Sequence, residues 1–284
     1  MHPALKSSLK KIRWQMRRAQ AARRWGADEL RRAPRIFGNA MPKSGSHLLT
    51  QVLEGLTEIA PVVNPGFPPV NRDEANRPLP PEQMLAELRA MRPGDLRYGY
   101  VHAEEPYCSL LTASGWATIF IYRDPRDMLV SHVFYATDLY EGHGMHRYYK
   151  KLDSMEARLN AAIEGVRDPE FPLSSVRERY DSYLGWFDYP EVLPLRFEDL
   201  ILNRAAALNR LLDFLDGRGL RIAASRDQAI AALEAGIAPR KSGTFRKGQP
   251  GEWREHFTEA NKARFKEVAG DLLVRLGYEE GDDW

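Results

Sequence analysis

The stretch Ile36-Phe37-Gly38-Asn39-Ala40-Met41-Pro42-Lys43-Ser44-Gly45-Ser46-His47-Leu48-Leu49 decides the fold. A short apolar run gives way to a turn of small, polar and basic residues, which leads straight into a helical pattern. Residues 36–41 predict a first strand. Residues 46–59 predict a helix whose buried side carries Leu48, Leu49, Val52, Leu53 and Leu56, because positions three and four apart share a helix face. Backbone N–H groups at a helix N-terminus point into such a turn, and the helix dipole favours an anion there. Gly45 lets the backbone come close, and Lys43 adds a mobile positive charge. The Walker A pattern GxxxxGK[ST] is missing. The loop alone is therefore open between a phosphate site and an ordinary strand-to-helix turn.

The flanking sequence extends the alternation. Residues 96–101, 117–122 and 192–197 are further strand candidates, and 117–122 is a continuous apolar run suited to a central parallel strand. Helical patterns cover 82–90, 127–140, 150–165, 174–187, 204–216, 226–235 and 258–276. Residues 61–81 are rich in Pro and Asn without periodicity and read as a long loop. Strands alternating with helices predict one α/β domain over residues 35–284, with a central, mostly parallel sheet flanked by helices.

A chain of 284 residues suffices for that domain. The apolar runs are too short to span a bilayer, and no secretory signal pattern is present. A single cysteine, Cys108, excludes an intrachain disulfide and a cysteine-based zinc site, which suits a cytoplasmic protein. The net charge of +2 hides an asymmetry: residues 1–35 hold 11 Lys/Arg and 2 Asp/Glu, leaving 30 and 37 for the rest. Residues 1–34 thus form a basic helical extension. Within 4–24, Leu5, Leu9, Ile12 and Met16 share one face, and Lys6, Lys10, Lys11, Arg13, Arg17 and Arg18 fill most of the remainder. Such a helix lies on an anionic membrane surface, touches an acidic partner, or packs on the domain.

Two further clusters carry charge suited to a nucleotide. Tyr122-Arg123-Asp124-Pro125-Arg126-Asp127, followed by Ser131, ends the apolar strand and opens a helix. Open α/β sheets place ligands at the carboxyl ends of their strands, where Arg123 offers a bidentate grip on phosphate. Arg126 and Asp127 suit local capping and pairing. Phe245-Arg246-Lys247-Gly248, then Gly251-Glu252-Trp253, then Phe257-Thr258, form a Gly-bounded basic loop before the terminal helix.

Together these segments resemble the PAPS-dependent sulfotransferase family, especially its cytosolic-type branch, in the correct order from residue 35 to 277. Pro42-Lys43-Ser44-Gly45-Ser46 is similar to that family's 5′-phosphosulfate loop. Tyr122-Arg123 with Ser131 is similar to its 3′-phosphate motif, Arg196-Phe197-Glu198-Asp199-Leu200 to its strand end near the adenine, and Arg246-Lys247-Gly248 with Gly251-Glu252-Trp253 to its C-terminal signature. The resemblance implies a P-loop-like nucleotide-binding fold and PAPS as donor. Lys43, Ser44, Gly45, Ser46, His47 and Leu48 would hold the 5′ phosphosulfate, with Lys43 also at the leaving oxygen. Arg123, Ser131, Arg246, Lys247 and Gly248 would hold the 3′ phosphate. Phe197 stands where many members have tyrosine beside the adenine, and Leu48 where many have tryptophan. His102 would be the catalytic base, with Glu104 and Glu105 as alternatives. Tyr100 replaces the lysine that many relatives carry two residues before that histidine.

No metal is required by this scheme, and His143 and His146 read as loop residues. The acceptor, a small molecule, sugar or lipid, would meet residues 62–81, 108–114 and 139–150, the last holding Tyr140, Tyr148 and Tyr149. The family's dimer segment is eroded: the stretch from Arg254 keeps Thr258 but has Glu259 and Ala263 instead of valine and glutamate. Two other classes remain open from sequence: a P-loop-type nucleotide phosphotransferase, and a non-enzymatic, basic-armed membrane-binding module.

Overall fold

The computed structural model describes residues 3–238 and 246–284, with the backbone alone for 3–7. The chain divides into two compact units, Met1–Tyr122 with Gly185–Ser242, and Arg123–Leu184 with Gly243–Trp284.

The apolar runs of the first unit form its sheet. Strands β1 (Arg35–Ala40), β2 (Leu96–Gly99), β3 (Trp116–Tyr122) and β4 (Val192–Arg196) are all parallel, in the order β2-β1-β3-β4. Ile36 faces Leu96 on one side and Ala117 on the other, and Ile121 faces Leu195. Every residue of β3 is buried, as expected of a strand covered on both faces. The helices of this unit are α1 (Pro3–Trp25), α2 (Ala27–Arg32), α3 (Ser46–Glu54), α4 (Pro81–Arg89), α5 (Tyr107–Leu111), α10 (Phe197–Leu202), α11 (Arg204–Gly217) and α12 (Arg226–Ala235). Leu49, Val52 and Leu53 of α3 pack with Ile36, Ile119, Leu195, Leu208 and Leu212 in one core. Leu48 is only partly buried against it.

Two elements of this unit end two or more residues short of their patterns. The helix from Ser46 stops at Glu54 and continues as a 3-10 turn over Gly55–Glu58. A Cβ on Gly55 would lie 2.8 Å from the Ala232 carbonyl, so α12 approaches where only glycine fits. Strand β2 stops at Gly99 rather than Val101 because Asn39 takes over the next backbone groups. Val101 N–H donates to Asn39 Oδ1 (2.9 Å), and Asn39 Nδ2 donates back to the Val101 carbonyl (2.9 Å).

Helix α1 packs on this unit through one face. Trp14 Nε1 and Arg18 Nη1 both donate to Asp95 Oδ1, at 2.9 and 2.7 Å. Lys10 pairs with Glu74 (2.8 Å), and Ala21 is buried beside Leu30 and Val63. No described helix is long and apolar enough to cross a membrane.

The second unit is helical: α6 (Pro125–Phe134), α7 (His146–Lys150), α8 (Met155–Glu164), α9 (Val176–Leu184), α13 (Trp253–His256), α14 (Glu259–Ala269) and α15 (Leu272–Arg275). Asp124 caps α6 by accepting the Arg126 N–H (2.9 Å), with Pro125 at the first helical position. The helix begins at Pro125 rather than 127 and widens into a π-turn over Tyr135–Leu139. Helix α8 packs against α6, α9 and α14. Buried Asn261 ties α14 to α8 by donating to the Glu156 carbonyl (3.1 Å) and Asn160 Oδ1 (2.7 Å). Thr258 serves as the N-cap of α14, forming a capping box with Asn261.

Asn39 is fully buried, and replacing it strands the Val101 N–H away from water. Asn39→Ala is expected to lower the unfolding free energy by about 1–3 kcal/mol. Urea denaturation measures this, and an unchanged midpoint would contradict the buried clamp.

Candidate active site

In the first unit, the turn after β1 passes twice through the left-handed region before α3 begins. Lys43 and Gly45 both have positive φ, 67° and 95°, and Gly45 precedes the first residue of α3. The end of β4 forces glycine at 45: a Cβ there would lie 2.5 Å from the Phe197 ring and 3.4 Å from Ile121. Phe197 is buried beneath that contact and shapes the turn. Ser44 is buried, and its hydroxyl oxygen has no hydrogen-bond partner among the described residues. A buried hydroxyl at a helix N-terminus without a partner is what a site for ligand oxygens presents. His47 keeps an exposed edge. Loss of water around it, and then the Lys43 charge, lower its imidazole below the ordinary histidine value.

The end of β2 approaches the same turn. Tyr100 Oη lies 2.9 Å from Ser46 Oγ, so a phenol is hydrogen-bonded to the last residue of the loop. Burial raises the Tyr100 pKa, more than the Ser46 bond lowers it, so the phenol stays protonated and neutral at physiological pH. Val101 is fixed by Asn39 and also accepts Trp186 Nε1–H (2.9 Å), which holds the backbone just before His102. The His102 side chain is exposed. Glu104 and Glu105 are exposed too, and Glu105 Oε2 accepts the Ser109 N–H (3.3 Å) at the start of α5.

In the second unit, Arg123 is buried. Its Nη2 donates to the Gln249 carbonyl (3.3 Å) and lies 3.6 Å from Asp127 Oδ2, while its own carbonyl accepts Tyr180 O–H (2.9 Å). Asp127 does more than cap a helix. Its two oxygens accept the N–H groups of Gly251 (2.7 Å) and Trp253 (2.9 Å), which fastens the C-terminal signature to α6. Burial raises the Asp127 carboxyl even though Arg123 and these N–H groups oppose it. Ser131 stands one turn further along the same face of α6 and is half-buried. Sequence alone gave no signal for the Asp127 contact, which joins residues about 125 apart.

Arg246 donates to Glu252 Oε1 (2.5 Å) and also contacts Oε2, and its guanidinium lies 4.1 Å over the Phe134 ring. Lys247 Nζ is 3.2 Å from Glu252 and 3.3 Å from Glu255. Burial works to raise the Glu252 carboxyl, but Arg246 and then Lys247 outweigh it and hold it below the usual range. Gly248 has φ 66°, a conformation that favours glycine. Phe245 lies outside the described residues. Thus Arg123 and the segment from Arg246 to Trp253 come together in one unit, as Lys43, Ser44, Gly45, Ser46, His47 and Phe197 do in the other.

The imidazoles of 143 and 146 are engaged locally: His143 Nδ1 accepts the Met145 N–H (3.1 Å), and His146 Nδ1 is 2.8 Å from the Ala136 carbonyl. Tyr149 is buried with its hydroxyl 3.1 Å from His132 Nε2, whereas Tyr140 is exposed.

A family model described as a sulfotransferase domain matches residues 109–277, more than half of the chain. The chain belongs to the sulfotransferase family. Its relatives are distant. A flavonol sulfotransferase-like protein of Flaveria bidentis is 23% identical over 201 residues, 61% of this chain and 60% of that protein. The chain therefore spans about three-fifths of that relative's length. Sulfotransferase 6B1 of Danio rerio is 22% identical over 258 residues, 84% of this chain and 80% of that protein. Among solved structures, mouse sulfotransferase SULT7A1 complexed with PAP superposes with a TM-score of 0.61 at 18% identity, covering 89% of this chain and 92% of that one. The α/β fold with its parallel sheet is thus a sulfotransferase fold.

Gly45→Ala tests the turn. The added methyl meets Phe197 and strains a left-handed residue, so a loss of roughly 1–3 kcal/mol is expected. In a double-mutant cycle with Phe197→Ala, which alone is destabilising because that ring is buried, the combined loss should fall short of the sum of the two single losses, because the clash is relieved while the backbone strain remains. Thermal melts that leave Gly45→Ala at wild-type stability would show the turn is not constrained.

Proposed function

We propose that this sulfotransferase uses PAPS as donor and moves its sulfuryl group to a hydroxyl or amine acceptor by in-line transfer. The observation that carries the donor assignment is the turn after β1, with its buried Ser44 hydroxyl that finds no partner among the described residues and its glycine held against Phe197. Support also comes from the family match and from the PAP bound in the structural neighbour. The residues fit such a donor: Lys43, Ser44, Gly45, Ser46, His47 and Leu48 for the 5′ phosphosulfate, and Arg123, Ser131, Arg246, Lys247 and Gly248 for the 3′ phosphate. Phe197 contributes through the turn it supports. The acceptor is a small molecule, a sugar or a lipid, and the exposed Leu139 and Tyr140 supply apolar surface for it.

Sulfuryl transfer resembles phosphoryl transfer in leaving the protein mainly positioning and charge stabilisation to supply. His102 takes the proton of the acceptor hydroxyl as the acceptor oxygen forms its bond to sulfur. The bond from sulfur to the bridging oxygen breaks, and that oxygen leaves with the 5′ phosphate. Lys43 and the loop N–H groups stabilise the charge it gains. Histidine suits this task because its ordinary pKa lies near neutrality.

Calorimetry separates donor classes: 3′,5′-adenosine bisphosphate should bind, and ADP with Mg²⁺ should not. Preference for ADP would make the chain a nucleotide phosphotransferase instead. With labelled PAPS and a panel of hydroxyl acceptors, Lys43→Ala and His102→Ala should each lose roughly 10²–10⁴ in turnover. His102→Ala should retain bisphosphate binding. An inactive Glu104→Gln beside an active His102→Ala would transfer the base role to the glutamate.

The lowered His47 pKa gives a pH test. An anion bound in the loop favours the charged imidazole, so the bound pKa lies above the free one. Binding then takes up a proton, and affinity rises as pH falls through that interval, by up to roughly tenfold per unit of difference. Bisphosphate titrations from pH 8 to about 5.5 should show a steeper rise for wild type than for His47→Gln. Parallel curves would remove His47 from the phosphosulfate site.

A further inference from the structure

The described part of the apolar stripe of α1, Leu9, Ile12 and Met16, faces away from the first unit. Successive helix residues turn by about 100°, so positions two apart lie on nearly opposite sides. Trp14, Arg18 and Ala21 face the first unit, the first two bonded to Asp95 and the third buried. Ile12 and Met16 lie two residues from Trp14 and are 57% and 58% exposed; Leu9, one turn earlier, is 39% exposed. The stripe is therefore not the packing face of this helix.

The charges around it sort in the same way. Lys10, Arg17 and Arg24 are turned to the protein, with Glu74 (2.8 Å), the Asn64 carbonyl (2.7 Å) and Glu58 (3.1 Å) as partners. Lys11, Arg13 and Arg23 are exposed and make no ion pair among the described residues. Lys11 and Arg13 sit one residue either side of Ile12, about 100° to its left and right. Pro3–Trp25 contains no acidic residue. An apolar ridge between two cationic flanks matches the depth profile of a bilayer surface, where apolar tips reach the acyl boundary and long basic side chains end among anionic headgroups.

We propose that the outward face of α1 is a docking surface for an anionic lipid bilayer, on which the helix lies flat through Leu9, Ile12 and Met16 with Lys11, Arg13 and Arg23 at headgroup level. The binding is reversible, because one short ridge is a weak anchor and the cations act only within a Debye length of the surface. This does not depend on which acceptor or donor the enzyme uses.

Co-sedimentation of the full chain with phosphatidylcholine vesicles, and with vesicles carrying a quarter phosphatidylglycerol, tests it. Expected is about fivefold or greater pelleting on the anionic vesicles at low salt, falling steeply as ionic strength rises. Leu9→Ser/Ile12→Ser/Met16→Ser should abolish pelleting, and Lys11→Gln/Arg13→Gln/Arg23→Gln should abolish the preference for anionic lipid. Both variants should keep the wild-type melting curve, since the altered side chains are exposed. Equal pelleting on both vesicles, pelleting on neither, or wild-type pelleting of the serine variant would each overturn the proposal. So would a dimer in sedimentation velocity that the serine variant dissociates, which would assign the ridge to a second copy of the chain.

Discussion

Residue 45 has no room for a side chain, and the loop that follows β1 takes its form from that constraint. Phe197, at the end of β4, fills the space where a Cβ would sit, and Ile121, near the end of β3, stands beside it at contact distance. The chain can pass only as glycine in a left-handed turn, which delivers it to the first residue of α3. From β2, Tyr100 meets Ser46 just past the turn, and Asn39 on β1 fixes the backbone next to His102. The ends of all four strands thus bear on one short turn. Parallel order is what makes this possible, because it brings every carboxyl end to the same edge of the sheet.

The second unit solves a different problem, that of storing cations. Arg246 and Lys247 share the buried carboxylate of Glu252, and Arg123 lies beside Asp127. Arg126 is bonded to Asp124 and Glu279 and lies 3.9 and 4.5 Å from the Trp253 and Trp284 rings. Each guanidinium is held in place by a carboxylate that also limits its net charge. A phosphate arriving at Arg246 must share it with Glu252, so such a cluster trades some attraction for prior order.

The sheet was legible in the sequence chiefly through β3, whose Trp116–Tyr122 is a continuous apolar run as a central parallel strand requires. The other three strands fall within a residue or two of their expected places, although β2 (Leu-Arg-Tyr-Gly) carries only one aliphatic residue. The helices α2, α5, α10 and α13 were not legible: at four to six residues they are too short to display a period. The turn at Gly45 could be seen as a phosphate-type loop, but its cause could not, since Phe197 lies about 150 residues away. Asp127 is the clearest omission. Its sequence neighbours explain it fully as a capping and pairing residue, and only the folded chain brings it to Gly251 and Trp253. The stripe on α1 was visible as a stripe. That it points outward was not, because periodicity names a face without saying what the face meets.

Asp95 gives α1 a further meaning. One buried carboxylate gathers Trp14 and Arg18 from the N-terminal helix and the Arg92 N–H from the approach to β2. The basic arm is therefore a cork rather than a tail. A chain begun at residue 35, as a truncated expression clone or a proteolytic nick would produce, keeps the sheet's sequence entire yet uncovers a buried acid with two of its donors gone. In such a chain the damage would surface first at the entry to β2, the strand that leads to His102.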